Sequence, residues 1–131
     1  MKTSELMIGD LLYLNRRPVR VDAIGFNGSI SYSEKGGFGG ISIDKLSPIP
    51  ITKEILVKNG FQKLNDKTFL LKNQIEIEVG TKFSEVSARY EDYDRDYNSY
   101  NNRYIEIAII HYVHELQHLL RLWGASKEIE L

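Results

Sequence analysis

The chain has 131 residues, of which 42% are hydrophobic, and its 17 basic and 18 acidic residues leave a formal net charge of −1. This balance gives no general attraction to nucleic acid, and the absence of cysteine excludes disulfides and thiol chemistry. No apolar run approaches the roughly 18 residues that a membrane-spanning helix needs, and the N-terminus lacks the apolar core of a signal peptide. We therefore expect a cytoplasmic protein with no membrane partner, built as one domain or as two small subdomains.

The first half of the chain alternates between short apolar segments and turn residues. Val19, Val21 and Ala23 alternate with Arg20, Asp22 and Ile24, which is the two-residue period of a half-buried strand. The Asn27-Gly28 pair favours a type I′ turn, because both residues tolerate positive φ. Strands are predicted at residues 10–14, 18–26, 29–33 and 40–43. Four or five short strands within about fifty residues are typical of a small barrel, so an SH3-like β-barrel is predicted for residues 1–47.

Pro48 and Pro50 mark the best internal boundary, because proline excludes helix and enforces an extended path. A short helix should follow, capped by Thr52 and ended by Asn59-Gly60. Alternating segments then predict strands at residues 61–64, 68–72, 75–79, 83–90 and 103–110. Residues 48–131 are therefore predicted to form an antiparallel β-meander flanked by this short helix and by a C-terminal helix, which makes the whole chain α+β. One continuous domain is the alternative to two subdomains.

Residues 90–104 have the most unusual composition in the chain, with five tyrosines among fifteen residues. Tyr, Ser, Asn and Arg together are typical of binding loops, where rigid aromatic rings give contact area at a low entropic cost. We therefore predict a long hairpin loop that binds an unidentified protein partner, with Tyr93, Tyr97 and Tyr100 as contact residues. A solvated, partly disordered loop is the equally weighted alternative.

Two further contact surfaces are predicted in the first half of the chain. Residues 35–40 read KGGFGG, but neither a Lys-Ser/Thr pair nor a helix follows them, so they indicate a flexible hairpin tip instead of a phosphate-binding loop. Phe38 on this tip is predicted to be an exposed contact. Arg16, Arg17 and Arg20 form a local basic group that could contact phosphate, so nucleic acid is kept as a less favoured partner.

Residues 114–118 read HELQH and fit the H-E-x-x-H pattern of zinc peptidases. On a helix, His114 and His118 share one face and could hold zinc, while Glu115 could act as general base. The extended motif needs Gly at 121 and His at 124, where this chain has Arg121 and Gly124. The helix is predicted to turn both histidines toward solvent and to bury an apolar stripe of Tyr112, Val113, Leu116, Leu119, Leu120 and Trp123. We therefore expect no cofactor, with zinc as the alternative.

Four stretches of the chain match a pattern that extends over nearly its full length: residues 4–10 (SELMIGD), 48–52 (PIPIT), 59–61 (NGF) and 112–118 (YVHELQH). With these stretches the chain resembles a family of short proteins encoded by Bacteroidetes genomes and by phages or prophages of those bacteria. In that family the last stretch usually has Gln in place of Glu115 and Asn in place of His118, so the zinc pattern is not a family feature. The resemblance implies a small accessory protein of phage or mobile-element origin, and it brings no known activity or catalytic residues.

Together these features favour a non-enzymatic module that acts through protein–protein interaction. No nucleophile elbow of the Gly-x-Ser-x-Gly type occurs in the sequence. A zinc-dependent hydrolase that uses the HELQH motif and a nucleic-acid-binding module are the two alternatives.

Overall fold

The computed structural model describes residues 1–72, 74–124 and 128–131, with the backbone alone at residues 91, 92 and 102. This part of the chain is α+β, with two five-stranded antiparallel sheets and two α-helices. It divides into two compact units, residues 1–50 with 112–129 and 131, and residues 51–111 with 130. The division lies close to the predicted boundary after residue 47, but the C-terminal helix groups with the first unit instead of the second. None of the described helices is long and apolar enough to cross a membrane.

The sheet of the first unit is built from five short strands. They are β1 (Leu11–Leu14), β2 (Arg17–Ile24), β3 (Ser29–Glu34), β4 (Gly37–Ser42) and β5 (Leu46–Pro48). A 3₁₀ helix at Ile43–Lys45 leads into β5, and the strand order is β4-β3-β2-β1-β5. In the described residues β4 and β5 are the two edges of this sheet, so the predicted closure into an SH3-like barrel is not confirmed.

The alternation predicted for β2 is confirmed as far as Asp22, since Val19 and Val21 are buried and Asp22 is exposed. It is wrong at Ala23, which is exposed after a register shift between Val21 and Ala23. The buried side chains of β2 join a core that also contains Leu6, Leu12, Leu14, Ile30, Ile43 and Leu46. Burial of this apolar surface is the main stabilising contribution to the first unit.

The turn chemistry of the first sheet differs from the prediction. Asn15 and Arg16, between β1 and β2, both have positive φ, at 50° and 64°, which is the property of a type I′ turn. At Asn27-Gly28 only the glycine has positive φ, at 80°, and the connection is longer, because the N–H of Gly25 donates to the carbonyl of Ser29. The hairpin predicted there is present, but its turn is not type I′.

The glycine-rich stretch at residues 35–40 lies mostly in a strand, which corrects the predicted flexible tip. Only Lys35 and Gly36 form the turn, and β4 begins at Gly37. The ring of Tyr32 lies over Gly39, where a Cβ atom would come within 2.8 Å of the tyrosine hydroxyl oxygen. Because Gly39 has no side chain, the ring of Tyr32 on β3 can pack directly against the backbone of β4.

The second unit contains the other sheet and the shorter helix. Its elements are α1 (Lys53–Lys58), β6 (Gln62–Lys63), β7 (Thr68–Leu71), β8 (Ile75–Val79), β9 (Ser84–Asp94) and β10 (Ser99–Ile110). The strands are antiparallel neighbours in the order β10-β9-β8-β7-β6, which confirms the predicted meander. The predicted helix is also confirmed, because Thr52 Oγ1 accepts the N–H of Ile55 at 3.2 Å and the helix ends at Asn59.

β9 and β10 are longer than predicted, so the residues predicted to form a tyrosine loop form a two-stranded antiparallel ribbon with a short turn at residues 95–98. β8 pairs with β9 as far as Ala88, and the N–H of Arg89 donates to the carbonyl of Gln74 at 2.7 Å. Beyond that point the described residues pair β9 with β10 alone, up to Asp94 opposite Ser99. Residues 90–104 are called the tyrosine arm below.

Candidate functional site

α2 (Val113–Leu122) carries the HELQH motif and is fixed to the first unit at its first turn. The N–H of Val113 donates to the carbonyl of Ile49 at 2.8 Å, and Tyr112 forms an isolated antiparallel bridge with Pro50. The N–H of Tyr112 donates to Glu115 Oε1 at 3.0 Å. A carboxylate in the first turn that accepts such an N–H is a helix-capping contact. Glu115, the alternative general base, therefore has a structural role in this arrangement.

The second contact of α2 with its unit is a polar pair between His118 and Asp10. His118 Nε2 lies 2.8 Å from each carboxylate oxygen of Asp10. Asp10 is fully buried, whereas 23% of the His118 side chain is exposed. Asp10 Oδ2 also accepts the N–H of Met7 at 2.8 Å. Because a carboxylate can only accept hydrogen bonds, Nε2 is the protonated nitrogen of the imidazole.

Gln117, one residue before His118, bonds the backbone on both sides of Asp10. Its Oε1 accepts the N–H of Leu11 at 2.8 Å, and its Nε2 donates to the carbonyl of Gly9 at 3.0 Å. The same carbonyl accepts a second hydrogen bond from Arg20 Nη1 at 3.0 Å. The amide side chain of Gln117 thus accepts from the N–H of Leu11 and shares the carbonyl of Gly9 with Arg20, so both peptide groups at the start of β1 have partners.

His114 lies beside this polar pair and is itself only 4% exposed. Its ring stacks on that of Tyr112 with centroids 5.9 Å apart, and the ring of His118 meets it edge-on at 5.8 Å. His114 Nδ1 is buried and has no hydrogen-bond partner among the described residues. Burial lowers the pKa of His114 below its ordinary value, against the opposing charges of Asp10 and Glu115. The imidazole is therefore held in its neutral form.

The predicted orientation of α2 is wrong for part of its surface. His114 and Gln117 are buried together with Val113, Leu116 and Leu120, whereas Tyr112 and Trp123, predicted to be buried, are exposed. The buried face is rotated because Asp10, Gly9 and Leu11 offer hydrogen-bond partners to polar residues of the helix. An amphipathic pattern counts every polar residue as exposed, so it misses such pairs.

The metal-binding alternative gains no support from these contacts. No group of three or more His, Asp or Glu residues in the described chain is arranged to hold a metal ion. His118 Nε2 is occupied by Asp10, and Glu115 is occupied by the backbone of Tyr112. A catalytic zinc needs three protein ligands together with an open position for water.

The tyrosine arm is the second candidate site, and it lies in the second unit. Tyr93 and Tyr100 are directly opposite each other on β9 and β10, with ring centroids 5.1 Å apart. The hydroxyl of Tyr93 donates to Asn98 Oδ1, and the N–H of Asp96 donates to Asp94 Oδ1 at 2.9 Å in the connecting turn. These local bonds order the tip of the arm. The three predicted tyrosines are exposed, with Tyr93 on β9, Tyr100 on β10 and Tyr97 in the turn between them, instead of in a long loop.

The other predicted contact residues lie in the sheet of the first unit or in one of its turns. Phe38 is 90% exposed on the edge strand β4. Arg17 Nε lies 3.7 Å from Glu34 Oε2, and Arg20 donates to the carbonyl of Gly9. Arg16 stands in the turn between β1 and β2. Two of the three arginines therefore have partners within the unit, which reduces what this group can offer to a phosphate.

Comparison with known proteins gives no significant match to a protein-family model, to a curated protein or to a solved structure. No relative therefore supplies an activity or a partner that could be transferred to this chain. The function is argued below from the contacts of the described residues.

Three residues of the α2 site were not singled out from the sequence. They are Asp10, Gln117 and Gly9. No local pattern in the sequence points to them, because their contacts join residues more than a hundred positions apart in the chain.

Proposed function

We propose that the chain is a non-enzymatic protein-binding module whose main contact surface is the tyrosine arm. The observation that supports this proposal is the exposure of Tyr93, Tyr97 and Tyr100, which are 45%, 81% and 69% exposed. Tyrosines of this kind bury a large area when a partner covers them, and tyrosine is enriched among the residues that dominate binding energy.

The order of the arm adds to the argument. The ring of Tyr93 is held by its hydroxyl bond to Asn98 and by its contact with Tyr100. A side chain that is already fixed loses less conformational entropy when a partner binds. Asp94 and Asp96 at the tip repel phosphate, so a protein surface fits the arm better than a nucleic acid does.

The finer features of the proposal rest on the sequence. On the family resemblance given above, the chain is an accessory protein of phage or mobile-element origin that acts in the cytoplasm. An SH3-like architecture is proposed for the first unit, and the pairing of β5 with β1 after the 3₁₀ helix at Ile43–Lys45 supports it. Small barrels of this type often serve as binding scaffolds, and Phe38 on β4 is the proposed second contact.

The test is a binding measurement with a partner captured from the host bacterium and then purified. Substitution of Tyr93, Tyr97 and Tyr100 by Ser should raise the dissociation constant at least tenfold, because it removes three aromatic contacts. The matched control replaces two exposed apolar residues outside the arm, Phe26→Ser and Leu122→Ser. Equal affinity of the wild type and the triple variant, with circular dichroism unchanged, would rule out the role of the arm.

The two alternatives are less well supported by the contacts. The zinc hydrolase lacks a third ligand among the described residues. The nucleic-acid-binding module would use Arg16, Arg17 and Arg20, two of which have partners in their own unit. We therefore prefer the protein-binding function.

A further inference from the structure

The outer edge of β10 is an unusual feature of the second unit. β10 has 12 residues, whereas β6 at the opposite edge of the sheet has two. In the described part of the chain, no strand pairs with the outer side of β10. Proteins usually protect such an edge with proline, with lysine or by keeping it short. β10 contains neither proline nor lysine, and its one irregularity is a register shift between Glu106 and Ala108.

The composition of this edge favours pairing with another strand. Tyr104, Ile105 and Ile109 are each about half exposed. Arg103 and Glu106 are the charged residues of β10. A long and nearly uncharged strand with an open edge associates with a further strand when one is available.

We propose that β10 pairs with β10 of a second copy of this chain, in an antiparallel register whose twofold axis passes through residue 102. Identical strands related by such an axis bury the same patch on both copies, and the interface closes after two chains. Backbone hydrogen bonds along the joined edges supply the affinity, as in other cases of strand addition.

The choice of register follows from the faces of the ribbon. On the inner face Val86 and Ala88 of β9 are buried, whereas the outer face carries Tyr93 opposite Tyr100. A continuous sheet keeps outer residues next to outer residues, so the axis must pass through a residue and not between two residues.

Charge and regularity then select the residue. An axis at Arg103 would place two guanidinium groups opposite each other, which destabilises a cross-strand pair. Axes at residue 104 or beyond bring the register shift near Glu106 into the interface. An axis at residue 102 uses only the regular part of β10, residues 99–105, and places Arg103 opposite the neutral Asn101 of the second copy.

This register also joins the aromatic residues of the two outer faces. Tyr100 comes to lie opposite Tyr104 of the second copy. Within each chain Tyr100 is already opposite Tyr93, and Tyr104 is already opposite Arg89. A row of three tyrosines ended by an arginine therefore crosses four strands, and the axis generates it twice. Aromatic neighbours on one face are favourable cross-strand pairs, and an arginine beside a tyrosine ring is a favourable cation–π neighbour.

The interface is small, because only seven residues of each strand pair directly. Interfaces at the low end of the size range are usually transient, so we expect a dissociation constant of about micromolar magnitude. The dimer does not depend on the proposed binding function, since it is measured with the purified chain alone. Failure of the partner-binding test leaves the dimer proposal intact, and the reverse also holds.

The register is tested by cysteine scanning, for which this chain is well suited because it contains no native cysteine. Single cysteines are introduced at each position from 99 to 105, and the disulfide-linked dimer is quantified under mild oxidation. The proposed axis predicts the fastest crosslinking at residue 102, because only there are equivalent residues directly opposite, at a Cα separation that a disulfide can span. A maximum at another position, or equal rates along the strand, would refute the register.

Sedimentation of the full chain supplies the second test. The wild type should show a concentration-dependent dimer, and the Tyr100→Lys, Tyr104→Lys double variant should weaken it at least tenfold, because the proposed register then places lysines opposite each other. The Tyr100→Lys, Tyr104→Glu double variant should recover much of the affinity, because it places opposite charges across the interface. A wild type that stays monomeric at several hundred micromolar overturns the proposal, as does equal dimerisation of both variants.

Discussion

The imidazole of His118 contacts both carboxylate oxygens of Asp10 at 2.8 Å, although the two residues are 108 positions apart in the chain. The pair joins α2 to the N-terminal segment of the same unit. Asp10 is fully buried, and the donors that its carboxylate has among the described residues are His118 Nε2 and the N–H of Met7. The stability of the first unit should therefore depend on this carboxylate.

Asp10→Asn should lower the free energy of unfolding by about 2 kcal/mol, because the amide nitrogen is a donor and would replace a carboxylate oxygen that accepts a hydrogen bond. Urea denaturation followed by circular dichroism measures the change. The matched control is Asp44→Asn, since Asp44 is an exposed residue in the 3₁₀ helix before β5. Similar midpoints for the two variants would show that the buried contact contributes little.

The free energy of unfolding should decrease as the pH falls through about 6.5, in part because of His114. In the unfolded chain this imidazole titrates near its ordinary pKa of 6.5, whereas burial lowers its pKa in the folded chain. Between these two values the unfolded chain binds more protons, so protonation favours unfolding. Above pH 6.5 neither state is protonated and the effect is absent.

The His114→Phe variant isolates this contribution, because the charged groups that act on His114, namely Asp10, Glu115, His118 and Glu5, are all retained in it. As the pH is lowered from neutral to mildly acidic, the free energy of unfolding should fall less for this variant than for the wild type. At neutral pH the variant should be at least as stable as the wild type, since it removes an unpartnered buried nitrogen. A difference that is independent of pH would contradict the buried, neutral state of His114.

Glu115 distinguishes the capping role from a catalytic one. Glu115→Gln should leave the stability of the protein nearly unchanged, because a glutamine can accept the N–H of Tyr112 as well. Glu115→Ala should destabilise it by about 1 kcal/mol through loss of the cap.

Protein purified without chelator should contain no stoichiometric zinc by elemental analysis. Zinc bound at one equivalent, and lost on replacement of His118, would instead support the hydrolase alternative.

Gly9 should tolerate a side chain poorly, mainly because its φ is +94°. A Cβ atom there would also lie 2.5 Å from Arg121 Nη2, but that atom ends an exposed flexible side chain and can move at little cost. Gly9→Ala should therefore lower the free energy of unfolding by about 1 to 2 kcal/mol, as measured by thermal or urea unfolding. Adding Arg121→Ala should recover only the steric part. Full recovery in the double variant would mean that the backbone conformation contributes nothing.

The local features of the fold could be predicted from the sequence because their causes are local. The alternation of Val19 and Val21 predicts a strand with one buried face, and Thr52 predicts the start of a helix. The sequence predicts a loop for the tyrosine arm because Asp, Asn and Ser are weak helix formers and oppose the helix-like spacing of its tyrosines. Cross-strand pairs such as Tyr93 with Tyr100 stabilise a strand ribbon there instead, and local composition does not indicate them.

The α2 site could be predicted only in part, because its contacts connect distant segments. Nothing near Asp10 in the sequence indicates that its partner is His118. Gln117 is buried because it contacts Gly9 and Leu11, which are more than a hundred positions away in the chain. His114 is buried beside it on the same helix. Helical periodicity correctly places both histidines on one face, but it cannot tell which polar residues find a partner inside the protein.

The pairing of Asp10 with His118 also has a consequence for biosynthesis. At the usual rates of translation, roughly 5 to 20 s pass between the addition of these two residues to the growing polypeptide. During that interval the carboxylate and the neighbouring carbonyl of Gly9 must stay hydrated on the nascent chain, while residues 51–111 are synthesised. The unit whose first residues leave the ribosome earliest thus cannot complete its contacts until α2 has been made.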